Sequence, residues 1–93
     1  MSNNLTAIGF VGEWKDLNGT LITVVPTSFK GNDGYYEVKY SNGRGPFIGS
    51  SFTGVYPPVL DVDFTDDGGD KSGQLSENGE LIKWNNGTEW GKL

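Results

Sequence analysis

The sequence contains no cysteine and no histidine among its 93 residues. Without cysteine, the chain cannot form a disulfide scaffold or a thiolate metal site. Without histidine, it has no imidazole ligand for a metal and no histidine base for a Ser-His triad. Only one residue, Ala7, is alanine, so long helices are not expected. The chain is too short for a doubly wound α/β enzyme or an eight-fold α/β barrel, and we interpret residues 1–93 as a single domain.

Positive charge is also scarce, because seven Lys and Arg residues stand against twelve Asp and Glu, giving a net charge of −5. Such a surface repels phosphates and anionic lipids, so we expect neither nucleic acid nor a membrane as a partner. No apolar run approaches the roughly 18 residues that a membrane-spanning helix needs. The start, Met1-Ser2-Asn3-Asn4, lacks the basic region of a signal peptide. This indicates a cytoplasmic protein, or one whose signal was removed and a methionine added.

Glycine, in contrast, is abundant, and the dipeptide Asn-Gly occurs four times. Asn-Gly between short β-rich runs is a strong hairpin signal. The turn signals separate eight runs with β-strand character, at about 8–16, 20–26, 35–41, 46–53, 59–65, 72–77, 80–85 and 88–92. Consecutive hairpins predict an antiparallel meander, and eight such strands can close into an up-and-down barrel without free edges. We therefore expect an all-β fold, most simply this closed barrel, with a β-sandwich as the alternative.

The turn types predict how the strands are aligned. A three-residue loop ending at Gly19 would pair Trp14 with Ile22, and the same loop ending at Gly87 would pair Ile82 with Trp90. At Asn42-Gly43 a two-residue turn would pair Val38 with Phe47. Together these registers place most large apolar side chains on one face of the sheet. The predicted inner face consists of Phe10, Gly12, Trp14, Ile22, Val24, Tyr36, Val38, Tyr40, Phe47, Gly49, Leu60, Val62, Phe64, Leu75, Ile82, Trp84 and Trp90.

Two motifs carry a resemblance to known families. Gly12-Glu13-Trp14 is similar to the Gly-x-Trp that opens the lipocalin and avidin-like barrels. That distant likeness implies a barrel whose interior takes a small ligand, although this chain is shorter than a lipocalin and lacks its disulfides. A closer likeness covers nearly the whole chain. With this start and the ending Trp84-Asn85-Asn86-Gly87-Thr88-Glu89-Trp90, the chain resembles a short bacterial β-domain that ends in Trp-x-Asn-Gly-Thr-x-Trp. This second likeness implies a fold but no activity.

Aromatic residues and the only arginine are the candidates for ligand binding. Flat rings with polar tips can line a small pocket or stack on a sugar, but in a small barrel they can equally fill the core. Arg44 stands between glycines in a hairpin tip, where it could anchor an anionic or polar ligand or simply be solvated. The candidate ligand-binding residues are Trp14, Tyr36, Tyr40, Arg44, Trp84 and Trp90.

An acidic stretch suggests a calcium site. Residues 61–70 contain five aspartates, and oxygen-rich clusters of this kind bind Ca²⁺. Asp61 and Asp63 should point to the same side of a strand and could act together with Asp66. The pattern does not match an EF-hand loop, because the twelfth position from Asp61 is Ser72 rather than glutamate. The alternative is a solvated strand face followed by a polar turn.

These features favour binding over catalysis. No nucleophile motif, phosphate-binding loop or specifically spaced pair of carboxylates is present. The leading hypothesis is a non-catalytic binding protein for a small apolar, aromatic or carbohydrate ligand, with no cofactor other than the calcium considered above. The alternatives are a structural or protein-interaction module that forms a homo-oligomer, and a small barrel enzyme of the cyclase type.

Overall fold

The computed structural model describes residues 9–30, 33–52 and 57–93, and these form eight antiparallel strands. Each strand pairs with the next in sequence, and β1 also pairs with β8, so the sheet closes into a barrel. The strands are β1 (Gly12–Lys15), β2 (Leu21–Lys30), β3 (Asp33–Tyr40), β4 (Phe47–Phe52), β5 (Val59–Phe64), β6 (Gly69–Leu75), β7 (Leu81–Trp84) and β8 (Glu89–Lys92). The prediction of an all-β, eight-stranded meander barrel is confirmed. In the described ranges no helix is long and apolar enough to cross a membrane.

Tight three-residue loops join β1 to β2 and β7 to β8. The N–H of Gly19 donates to the carbonyl of Asp16 at 3.0 Å, and the N–H of Gly87 donates to that of Trp84 at 3.0 Å. Both glycines have a positive φ, which is the left-handed position that ends this turn and bulge. The predicted pairs Trp14–Ile22 and Ile82–Trp90 are both confirmed.

The loop between β3 and β4 reaches the predicted register by a different route. Val38 pairs with Phe47 as expected. However, the two-residue turn would require a positive φ at Asn42, and among the described residues only glycines have one. The loop contains three residues instead, because the N–H of Tyr40 donates to the carbonyl of Arg44 at 3.1 Å. The chain leading into β4 contains one extra residue, in a β-bulge that begins at Gly45, whose φ is +93°. This bulge compensates for the longer loop, so Val38 still pairs with Phe47.

Several strand boundaries differ from the prediction, most of all the start of β1, the end of β2 and the start of β6. Strand β2 continues to Lys30 instead of ending at about 26. The run expected to begin at residue 8 becomes strand β1 only at Gly12, and residues 9 and 10 form a turn. Strand β6 begins at Gly69, inside the polar cluster that was expected to be a turn, because Gly69 pairs with Phe64 and Asp70 with Asp63. Backbone pairing with β5 therefore extends further than side-chain composition suggests.

The barrel interior is filled by the predicted face. In the described part of the chain, fifteen aromatic and aliphatic side chains other than proline are buried, and all of them were on the predicted inner face. The core consists of Phe10, Trp14, Ile22, Val24, Tyr36, Val38, Tyr40, Phe47, Leu60, Val62, Phe64, Leu75, Ile82, Trp84 and Trp90. Gly49 does not leave an empty space in this core, because a Cβ atom there would lie 3.2 Å from Cγ2 of Val62. Ser51 is the one buried polar residue in the described part, and it was not among the predicted inner-face residues.

Candidate functional site

One end of the barrel carries a partly open recess. The β1–β2, β3–β4, β5–β6 and β7–β8 loops all emerge at this end, because successive strands of a meander alternate in direction. Between these loops lies a space of about 240 Å³. It is lined by Asp16, Leu17, Asn18, Tyr40, Arg44, Phe64, Asp67, Trp84, Asn86, Thr88 and Trp90.

Four aromatic rings, those of Tyr40, Phe64, Trp84 and Trp90, form the floor of the recess, and each is at least nine-tenths buried. The Trp84 and Trp90 ring centroids are 4.7 Å apart at an interplanar angle of 58°. Phe64 meets Trp84 edge-on at 5.6 Å, and Tyr40 meets Trp90 edge-on at 6.1 Å. Tilted and edge-to-face contacts at these distances are favourable. The rings therefore hold one another in place, and the floor exists before any ligand arrives.

The indole N–H of Trp84 has no hydrogen-bond partner in the part of the chain that the structure describes. Its Nε1 is buried, and no acceptor lies within hydrogen-bonding distance among the described residues. Trp14 shows the ordinary arrangement, since its buried Nε1 donates to the carbonyl of Phe10 at 3.0 Å. A buried donor without an acceptor costs about 1–3 kcal/mol. An acceptor supplied from outside the chain would recover this free energy.

Arg44 spans the edge of the recess. Its Nε and Nη2 atoms donate to the two carboxylate oxygens of Asp66 at 2.8 and 2.9 Å, joining the β3–β4 loop to the β5–β6 loop. The guanidinium carbon lies 4.4 Å from the centroid of the Tyr40 ring, in a cation–π contact. The hydrogen bonds from Arg44 hold the pKa of the Asp66 carboxyl below its ordinary value. The arginine predicted as a rim anchor does line the recess, but its carboxylate partner belongs to the same chain.

Polar side chains of the turns complete the rim. Oδ1 of Asp16 accepts the backbone N–H groups of Asn18 and Thr20, both at 2.9 Å. Oδ1 of Asn86 accepts the N–H of Thr88 at 3.1 Å and its hydroxyl at 2.7 Å. These bonds fix the turns, while Oδ2 of Asp16 and the side-chain amide of Asn18 have no partner in the described part of the chain.

Two of the predicted binding residues lie outside the recess. Trp14 is fully buried, and the Nζ of Lys92 lies 4.7 Å from the centroid of its ring. Tyr36 is also fully buried, and its hydroxyl shares a 2.9 Å hydrogen bond with that of Ser51. Both side chains therefore serve as core in this structure. The structure brings the other four, Tyr40, Arg44, Trp84 and Trp90, together around one space.

All three tryptophans belong to one hydrophobic core, but their ring contacts differ. Trp84 and Trp90 are in contact, whereas the β1–β8 pairing sets Trp14 opposite Lys92 rather than opposite Trp90. No ring contact joins Trp14 to either of the other two within the described residues.

Asp61 and Asp66 of the acidic stretch have different hydrogen-bond partners. The Asp61 carboxylate accepts a hydrogen bond from the hydroxyl of Ser72 on the neighbouring strand. Asp66 lies in the following loop and is held by Arg44. Across 9–30, 33–52 and 57–93, no group of three acidic side chains is placed to hold a metal ion. The calcium site at Asp61, Asp63 and Asp66 stays a prediction, and it would require Asp66 to leave Arg44.

Sequence reasoning missed most of the rim. It treated the β1–β2 and β7–β8 loops only as turns, although they supply Asn18, Asn86 and Thr88 to the recess. One signal was available, because alternate hairpin loops of a meander must meet at the same end of the barrel. That rule selects the loops, but it does not give their side-chain positions.

Comparison of the chain with protein-family models, with curated protein sequences and with solved structures found no match.

Proposed function

We propose that the protein is a non-catalytic binding protein that takes a small, single-ring molecule, apolar, aromatic or carbohydrate, into the recess at its loop end. The observation that supports this most is the preformed floor of Tyr40, Phe64, Trp84 and Trp90 beneath a polar rim. Apolar pockets with a few convergent polar groups are the usual form of small-molecule sites. A rigid floor also lowers the entropic cost of binding, because no ring has to be ordered when the ligand arrives.

The size of the recess limits the ligand. Its volume of about 240 Å³ is below the range of roughly 300–1,000 Å³ typical of sites for drug-sized molecules. A single six-membered ring with small substituents fits this space better than a fused or extended molecule. Part of a longer ligand would have to extend out of the recess through its open side.

The ionisable groups near the recess favour binding over catalysis. Burial raises the pKa of the Tyr40 phenol, and Arg44 lowers the pKa of the Asp66 carboxyl. Both shifts move the pKa values further from neutral pH, whereas a general acid or base works best with a pKa near the operating pH.

Nuclear magnetic resonance of isotope-labelled protein can test the proposal, because each of the three tryptophans gives one indole N–H signal. Single-ring compounds such as methyl glucoside, phenol and cyclohexanol would be titrated in turn. A ligand in the recess should shift the signals of Trp84 and Trp90, which line it, and leave that of Trp14 unchanged. If no compound shifts these two signals, or if all three move equally, the proposal is wrong.

A second candidate, the homo-oligomeric interaction module, is favoured by one outward surface. Val25, Glu37 and Ile48 lie side by side on β2, β3 and β4, and Ile48 is 62% exposed. Tyr35, two positions before Glu37 on the same face, is 38% exposed. Light scattering at increasing protein concentration tests this candidate. A dimer that Ile48→Lys converts to a monomer supports it, and a monomer at every concentration excludes it.

A further inference from the structure

We infer that the ligand class is a neutral, hydroxyl-bearing ring, the monosaccharide unit of a carbohydrate, with the indole N–H of Trp84 donating to one of its oxygens. This inference rests on the proposed function and narrows it from any single ring to one kind. It follows from counting hydrogen-bond donors and acceptors around the recess, since a bound molecule must complement both.

Within the described ranges, the buried Nε1–H of Trp84 has no acceptor. Trp84 is 5% exposed, and the rings that it contacts in the floor are those of Phe64 and Trp90. The nearest rings, Phe64 and Trp90, carry no oxygen. The ligand must therefore present an oxygen to Trp84 if this donor is to be satisfied, and a purely apolar ring would leave the donor unpaired.

The rim, in contrast, carries two carboxylates, those of Asp16 and Asp67, beside the amide of Asn18. Lys71 partly balances Asp67, since its Nζ lies 4.0 Å from the Asp67 carboxylate. Arg44 is partly engaged, because its Nε and Nη2 donate to Asp66 and its plane covers Tyr40. The carboxylates, which only accept hydrogen bonds, favour a ligand that brings donors to the rim.

A hydroxyl is the smallest neutral group that meets both requirements. A hydroxyl donates one hydrogen bond and accepts others, whereas an ammonium group only donates and a carboxylate only accepts. An anionic ring would also face the charges of Asp16 and Asp67, while Arg44, the only arginine of the chain, is already paired. A pyranose combines hydroxyls at its edge with an apolar C–H face that can lie against the rings of the floor.

The test compares ring compounds that differ in their hydroxyl groups and in their charge. Isotope-labelled protein would be titrated with the methyl pyranosides of glucose, galactose, mannose and xylose, and separately with toluene, benzoate and benzylammonium. We expect at least one pyranoside to bind and to shift the Trp84 indole signal most strongly, with weaker binding of the other three rings. Pyranoside binding should fall about tenfold in Trp84→Phe, which keeps a ring but removes the donor. Trp14→Phe, outside the recess, should bind as the unchanged protein does.

Each contrary result has a separate meaning. If toluene binds as well as the pyranosides, or if Trp84→Phe keeps full pyranoside affinity, the carbohydrate inference is overturned while the proposed single-ring site stands. If none of the seven compounds binds, both fail. Should Trp84→Phe not fold, Asp67→Asn tests the rim instead. It keeps the shape of the side chain and removes its charge, so pyranoside affinity should fall several-fold and benzoate affinity should rise; no change in either overturns the inference.

Discussion

Gly73 on β6 lies directly opposite Trp84 on β7, and the indole ring occupies the space where a side chain at Gly73 would be. A Cβ atom at this glycine would come within 3.0 Å of two ring carbons of Trp84 and 2.5 Å of Cγ2 of Ile82. The position of the Trp84 ring thus depends on the absence of a side chain on the neighbouring strand.

Gly73→Ala should therefore displace Trp84 and destabilise the barrel. Overpacking of this kind costs typically 1–3 kcal/mol, because the neighbouring side chains must leave their preferred rotamers. Urea denaturation followed by tryptophan fluorescence would measure the loss. Gly91→Ala is the matched control in β8, since a Cβ atom there meets nothing within 4 Å. Equal stability of the two variants would contradict the packing argument.

Replacement of two buried tryptophans by phenylalanine should have unequal effects. Both Trp14→Phe and Trp84→Phe remove volume from the core. Only Trp14→Phe also leaves the buried carbonyl of Phe10 without its donor, which adds about 1–3 kcal/mol to the loss of stability. Trp84→Phe instead removes a donor that has no partner. Chemical denaturation of both variants measures the difference, and a larger loss for Trp84→Phe would show that its N–H is satisfied in solution.

The Arg44–Asp66 pair should make a small, pH-dependent contribution to stability. The Asp66 pKa is lowered in the folded protein, so the contribution is present above the unfolded value of 3.8 and is lost as the pH falls through the lower folded value. The melting temperatures of the unchanged protein and of Asp66→Asn should differ slightly at neutral pH and converge in acid. Asp63→Asn is a suitable comparison. A difference that persists at pH 2 would show that another cause separates the two proteins.

The calcium hypothesis makes a prediction that involves the same arginine. If Asp61, Asp63 and Asp66 bind Ca²⁺, millimolar calcium should raise the melting temperature by mass action, and Asp63→Asn should abolish the rise. Because Arg44 holds Asp66, the variant Arg44→Gln should show a larger rise than the unchanged protein. If calcium stabilises neither protein, the acidic stretch is a solvated strand face and a polar turn.

The alternation of side chains made the barrel and its interior predictable. One-residue shifts would have scattered Trp14, Ile22 and Val38 over both faces, so only one register agreed with a buried apolar side. The same reasoning could not identify the actual turn at Asn42, because a longer loop and a bulge at Gly45 together give the same register as a two-residue turn. The register depends on the combined effect of the loop length and the bulge, so it does not determine either of them separately.

The site was less predictable, for reasons of geometry. Ser51 was not among the predicted inner-face residues, but its partner, Tyr36, comes from an adjacent strand and satisfies its hydroxyl inside the core. Trp14 and Trp90 lie on the neighbouring strands β1 and β8, but the stagger of strands in a barrel decides which residues are paired, and Trp14 stands opposite Lys92. Residues of four loops line the recess, and their spacing in the sequence does not determine the distances between their side chains.

The closure of the barrel has a consequence for the order of folding. Between the described residues, two pairs join β1 to β8, Trp14 with Lys92 and Lys15 with Gly91, whereas β2 and β3 share eight pairs. These closing contacts link nearly opposite ends of the chain, so they carry the largest loop-closure entropy and should form last. The hairpins would assemble first as an open sheet with β1 and β8 as its two edges. In the native protein the amides of this short seam should then exchange with solvent faster than those between β2 and β3.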